Sequence, residues 1–163
     1  MQKSFIPYGR QSVDQHDIDE VIKVLGSDFL TQGNLIGKFE EDLSNTVESR
    51  YSKMFNSATS ALHGACVALG LTKGDILWTS PISFVASANC ALYCGARIDF
   101  VDVDPFTRNM CMDQLEQKLK VAEISGNLPK IIVAVHFAGE PCELQRLNKL
   151  SLIYGFRVIE DAS

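Results

Sequence analysis

No stretch of this chain approaches the ~18 consecutive apolar residues of a membrane span. The N-terminal run Met1-Gln2-Lys3-Ser4-Phe5-Ile6-Pro7 also lacks the apolar core of a secretory signal. Membrane insertion is therefore not expected, and a cytoplasmic location is. Basic clusters are equally scarce. Fifteen Lys and Arg stand against 20 Asp and Glu, a net charge of −5, and no run of them would line nucleic-acid phosphates. Small molecules or other subunits are the expected partners, not nucleic acid. There is no Gly-Lys-Ser/Thr phosphate loop, and no G-x-G-x-x-G follows the first strand of the sheet, which disfavours an unrelated nucleotide-binding module. Cys90 and Cys94 stand four apart, but no His or second Cys pair follows at zinc spacing, so no metal is expected. The five cysteines, Cys66, Cys90, Cys94, Cys111 and Cys142, are odd in number and mostly lie in apolar runs, which fits reduced thiols packed in a core.

What is present suits a core of ordinary size: 163 residues, 46% of them hydrophobic and 21% charged. Residues 1–12 read as extended. Ser12 and Gln15 have capping-box spacing, and Ile18, Val21, Ile22 and Leu25 follow on one helical face, with Gly26 able to end the helix. A second helix is expected from Gly37 to Glu48. Strands and helices then alternate. Strands are expected at Lys53–Phe55, Ile76–Thr79, Ile98–Val101, Ile131–His136 and Arg157–Glu160. Helices are expected at Ala58–Leu69, Phe84–Cys94, Met112–Val121 and Glu143–Tyr154, with Leu119–Asn127 a looser polar connection. This order predicts an α/β fold of three layers, a mostly parallel sheet with helices on both faces. The division expected is an N-terminal segment, 1–36, followed by the front part of a larger domain, 37–163.

Four segments could carry chemistry. In Phe55-Asn56-Ser57-Ala58-Thr59-Ser60-Ala61-Leu62, small and hydroxyl residues lead from a strand into a helix. That helix start either binds a phosphate or is an ordinary cap. In Thr79-Ser80-Pro81-Ile82-Ser83-Phe84, the aromatic at a strand's carboxyl end either stacks on a planar ligand or belongs to the core. His136, closing the Ile131 strand, either touches a ligand or is a satisfied structural histidine; His16 and His63 lie on helices and read as structural. Glu160-Asp161 closes the last strand, and a buried carboxylate there needs a protonated nitrogen, a metal or an Arg. Asp102 and Asp104 are the rival pair, but Asp104-Pro105 reads as a turn.

These segments, in this order, resemble the sugar aminotransferases of the DegT type, fold-type I enzymes that use pyridoxal 5′-phosphate. The resemblance covers essentially the whole chain. It is carried by Ile6-Pro7-Tyr8, Leu30-Thr31-Gln32-Gly33, Phe55 to Leu62, Pro81-Ile82-Ser83-Phe84-Val85-Ala86 and Glu160-Asp161-Ala162. The Asn-Ser-Ala-Thr-Ser-Ala form points to the branch acting in pseudaminic acid biosynthesis. By resemblance, Ala58 and Thr59 form the phosphate cup, Phe84 stacks on the pyridine, Asp161 pairs with the pyridine nitrogen, and Ser163 lies beside the cofactor. Tyr8, Asp28, Phe29, Leu30, Thr31 and Ala58 resemble residues that hold a nucleotide sugar.

The reaction so implied is amino transfer from L-glutamate to the C4 ketone of a UDP-linked 4-keto-6-deoxy sugar, in a homodimer. The Schiff-base lysine of that family follows the Asp-Ala segment. None of Lys3, Lys23, Lys38, Lys53, Lys73, Lys118, Lys120, Lys130 and Lys149 has the aromatic and Ser/Thr neighbours of that motif. The expectation is a chain that stops before the lysine and before a C-terminal small domain, and that is inactive alone. The alternatives are a non-catalytic remnant and a module that binds phosphate ligands.

Overall fold

The computed structural model describes residues 9–163. Its backbone packs as two units, residues up to Met54 and Phe55–Ser163, whereas the sequence suggests a division between 36 and 37.

The first unit holds helices α1 (Gln15–Leu25) and α2 (Asn34–Thr46). The first helix is not capped by Ser12 and Gln15 as expected. Asp14 is the N-cap: its side chain accepts from the Asp17 amide at 3.1 Å, and the Asp17 carboxylate accepts from the Asp14 amide at 3.0 Å. The same reciprocal geometry is met two residues later, because Asp serves both positions as well as Ser and Gln do. Gly26 closes α1 as expected. The second helix starts at Asn34, three residues before the expected Gly37, which sits inside it. No residue of either helix is buried.

The second unit alternates α3 (Ala58–Ala68), β1 (Ile76–Thr79), α4 (Ala86–Tyr93), β2 (Arg97–Phe100), α5 (Met112–Ser125), β3 (Ile131–Val135), a 3₁₀ turn at Phe137–Gly139, α6 (Leu144–Tyr154) and β4 (Arg157–Asp161). The four strands form one parallel sheet in the order β2-β1-β3-β4. Lys53–Phe55 forms no strand. Met54 and Phe55 are exposed, and this short run meets no neighbouring strand to share its hydrogen bonds. The expected polar connection after Leu119 is instead helix: α5 runs on to Ser125, where Ala122 is buried, and stops at Gly126 in the left-handed conformation (φ 68°). Helix α4 begins at Ala86, so Phe84 stands in the loop before it rather than in its first turn.

Alternation along the strands sorts the core into two layers. Ile76, Trp78, Ile132 and Ala134 pack with Met112, Leu115 and Leu119 of α5 and Leu147 and Leu150 of α6. Leu77, Ile131 and Val133 face the other way, onto Leu62 and Cys66 of α3 and Ala86, Cys90 and Ala91 of α4. The fold is therefore three-layered α/β, as expected. The connection after β1 leads outward to β2 and the one after β3 leads outward to β4. The two loops part at the carboxyl ends of β1 and β3, the switch point where open parallel sheets hold ligands.

Candidate functional site at the carboxyl edge

Helix α3 runs antiparallel to the strands. Its far end meets the amino edge of the sheet, where the Lys130 ammonium reaches the Gly70 carbonyl and pairs with Asp75 at 2.8 Å. Its first turn therefore faces the carboxyl edge. Ser57 caps it, accepting from the Ser60 amide at 3.2 Å, and Ala61 N–H bonds the Ser57 carbonyl. The Ala58 and Thr59 amides and the Thr59 hydroxyl have no acceptor among the described residues. Two free amides at a positive helix end suit an anion. The Phe55 ring steadies the approach to this turn by lying on Gly64, where a Cβ would come within 2.8 Å of it.

Phe84 is 74% exposed in the loop between β1 and α4, so its ring is not core. It borders a small cavity of about 180 Å³ with Ser80, Pro81, Ser83, Val85 and Ser87. The Ser80 hydroxyl is buried there without a partner among the described residues.

Asp161 ends β4 on the α3/α4 side and is 6% exposed. Its Oδ2 accepts from Ser87 Oγ at 2.6 Å. Its Oδ1 accepts from Ser163 Oγ at 2.7 Å and from the Ser163 amide at 3.3 Å. Among the described residues no cation lies within ion-pair reach of this carboxylate. A buried carboxylate held only by hydroxyls and an amide still has room for a charged N–H donor.

The open readings of His136 resolve here to the structural one. Its Nδ1 accepts from the Cys142 amide at 3.2 Å, so Nε2 carries the proton and donates to Glu160 Oε2 at 3.1 Å. Both ring nitrogens are used, and the imidazole follows Ala134 onto the α5/α6 side, away from the Asp161 carboxylate. His63 is structural too, its ring set edge-to-face against Tyr93 at 5.4 Å.

Asp104 is a turn residue as read. Its carboxylate accepts the Phe106 and Thr107 amides, both at 2.9 Å, and these backbone donors, Thr107's foremost, hold its pKa below the usual carboxylate value. Cys66, Cys90 and Cys142 are buried in the core, whereas Cys94 and Cys111 are half-buried. All five are free thiols, and a hydrogen bond to Cys90 together with burial pushes the Cys66 thiol far up. No group of residues among those described could hold a metal, and no described helix is long and apolar enough to cross a membrane.

The residues expected at a site thus divide. Ala58, Thr59, Phe84, Asp161 and Ser163 belong to the second unit, and the first four come from elements that converge on its carboxyl edge. Asp28, Phe29 and Leu30 line a separate cavity of about 450 Å³ in the first unit, with Thr31 beside them in the chain. Tyr8 lies outside the described residues. Ser87 lies outside the segments singled out in the sequence, and Ser83 lies within them without an assigned role. The signal for both is two hydroxyls four residues apart after the buried strand β1.

Residues 11–163 match the model of the DegT/DnrJ/EryC1/StrS aminotransferase family. Over 158 residues the chain is 36% identical to a UDP-4-amino-4,6-dideoxy-N-acetyl-beta-L-altrosamine transaminase of Campylobacter jejuni, covering 97% of this chain and 41% of that one. Among solved structures it is similar to PseC of Helicobacter pylori, an aminotransferase of pseudaminic acid biosynthesis, with TM-score 0.85 and 31% identity over 96% of this chain and 41% of that one. It is also similar to the PLP form of a putative sugar aminotransferase from Streptococcus pneumoniae, with TM-score 0.82 and 27% identity over 97% of this chain and 38% of that one. The chain spans about 40% of the length of the relatives it matches. By the match over residues 11–163, it belongs to the DegT/DnrJ/EryC1/StrS aminotransferase family.

Proposed function

We propose that the carboxyl edge of the second unit is one wall of a pyridoxal 5′-phosphate site in a nucleotide-sugar aminotransferase. The observation that carries this is Asp161, a buried carboxylate with hydroxyl and amide donors and, among the described residues, no cation within ion-pair reach. A protonated pyridine nitrogen supplies the missing charged donor. The rest of the wall fits the same ligand. The Ala58 and Thr59 amides and the Thr59 hydroxyl take the phosphate, and the exposed Phe84 ring covers one face of the pyridine and keeps water from it. Asp161 holds a proton on the ring nitrogen, and Ser163 fixes the Asp161 carboxylate. When bound, the cofactor supplies a ring that accepts electrons from a carbon losing its proton.

The reaction proposed for the complete enzyme is amino transfer from L-glutamate to the C4 ketone of a UDP-linked 4-keto-6-deoxy sugar of the pseudaminic acid type. This follows the similarity to the C. jejuni and H. pylori proteins. Tyr8, Asp28, Phe29, Leu30, Thr31 and Ala58 are proposed to hold the nucleotide sugar, in a homodimer located in the cytoplasm. No described lysine pairs with Asp161, and three lysines of the second unit are engaged elsewhere. Lys118 lies 4.7 Å from the Trp78 ring on the opposite side of the sheet. Lys130 pairs with Asp75 at the amino edge, and Lys120 with Glu116 on α5. This chain alone is therefore expected to form no 2-oxoglutarate from glutamate, cofactor and keto sugar.

Cofactor binding tests the reading without turnover. Pyridoxamine 5′-phosphate needs no lysine to bind. Titrating it into the chain should give a saturable absorbance change that inorganic phosphate reverses, and Thr59→Val should weaken binding. A chain that leaves the absorbance unchanged has no cup, and the proposal fails.

A further inference from the structure

Asp161 is held from two sides, and only one hold comes from its own strand end. The other is Ser87 on α4, 74 residues away in sequence and fully buried. The direction of this bond is fixed by chemistry. A carboxylate only accepts, so the single Ser87 hydroxyl proton points to Oδ2. Ser83 lies 2.7 Å from Ser87 Oγ, and the geometry alone would let either donate. With the Ser87 proton already committed, Ser83 must be the donor. The three groups form a one-way chain, Ser83 to Ser87 to Asp161. Ser83 immediately precedes Phe84, so this chain also ties the loop that carries the exposed ring to the carboxylate.

We infer that Ser87, backed by Ser83, is the positioning residue that aims the Asp161 carboxylate at the cofactor's ring nitrogen. The inference rests on the pyridoxal phosphate reading given above. Ser87 does not touch the cofactor; it acts through Asp161. Without it, Oδ2 loses its only bond from the described residues, and the carboxylate can rotate about the bonds that hold Oδ1.

The test compares two ligands on the same chain: pyridoxamine 5′-phosphate and its 1-deaza analogue, in which a carbon replaces the ring nitrogen. The phosphate and the ring face are shared, so only the first ligand reports on Asp161. Ser87→Ala should weaken pyridoxamine 5′-phosphate about tenfold, the loss of one hydrogen bond to a charged group. Affinity for the deaza analogue should stay unchanged, and Ser87→Thr should restore the wild-type ratio. Ser83→Ala should cause a smaller loss, again for the nitrogen-containing ligand only. Equal weakening of both ligands, or a wild-type ratio in Ser87→Ala, overturns the positioning role. Should Ser87→Ala fail to fold, Ser83→Ala decides, and an unchanged ratio there overturns it too. A wild-type chain that binds neither ligand sinks the cofactor reading itself. A wild-type chain that prefers the nitrogen-containing ligand, beside an indifferent Ser87→Ala, sinks this inference alone.

Discussion

Helices α1 and α2 carry apolar stripes as regular as those of α5 and α6, yet the two pairs fare differently. In α1 and α2 no side chain is buried, and Ile22 remains 59% exposed. In α5 and α6, Leu115, Leu119 and Leu147 are completely buried against the sheet. A helical period says which face is apolar but not what covers it. The parallel sheet supplies that cover in the second unit, because each crossover returns its helix onto strands already laid down. Stability in the second unit should therefore rest on its core, and in the first on local terms such as caps.

The largest expected contrast is between equivalent truncations. Leu147→Ala or Leu119→Ala should cost about 2–5 kcal/mol, a transfer loss plus a cavity. Val21→Ala, on an exposed face, should stay within ~0.5 kcal/mol. Denaturant melts followed by Trp78, the only tryptophan and itself buried, read the core variants directly. Similar costs in both units would break the comparison.

A smaller effect is expected at the start of α1. Asp14→Ala removes a reciprocal cap and should cost about 1 kcal/mol, seen as faster amide exchange in the first turn of α1 with the sheet amides unaffected.

Smallest is a pH effect at the amino edge of the sheet. The Lys130 ammonium, then the Thr72 amide, holds the Asp75 carboxyl below its ordinary value. The folded-state value lies below the unfolded one, so this stabilisation is complete at neutral pH and is lost as the pH falls through the acid range. The pair is partly solvated, and its worth is ~1 kcal/mol or less. Asp75→Asn should flatten the acid limb of the stability profile, and an unchanged limb would show the pair to be idle.

Legibility from the sequence follows the same division. The second unit was readable because unbroken apolar runs such as Ile131-Ile132-Val133-Ala134-Val135 admit one arrangement, a strand covered on both faces. The three-layer fold and the convergence of Thr59, Phe84 and Asp161 follow from it. Two expectations failed for a shared reason, since each depended on what the segment meets. Lys53–Phe55 is strand-like in composition but has no ladder partner. The polar stretch after Leu119 stays helical because Ala122 has a core to enter. His136 could not be decided from composition, because its partners, Glu160 and the Cys142 amide, lie beyond local sequence. Ser87 was missed for the same reason: its acceptor is 74 residues away.

Phe84 separates site from core within the second unit. Its ring is exposed, so Phe84→Ala should leave the unfolding midpoint nearly unchanged while weakening pyridoxamine 5′-phosphate by the stacking it loses. The most direct measurement concerns Asp161. Pyridoxamine 5′-phosphate labelled with nitrogen-15 in the ring should, when bound to the chain at mildly alkaline pH, show the nitrogen shift of a protonated pyridine. Bound to Asp161→Asn, it should show that of a neutral one. A neutral shift in the wild-type complex, or the same shift in both, would contradict the assignment of Asp161 as the partner of the ring nitrogen.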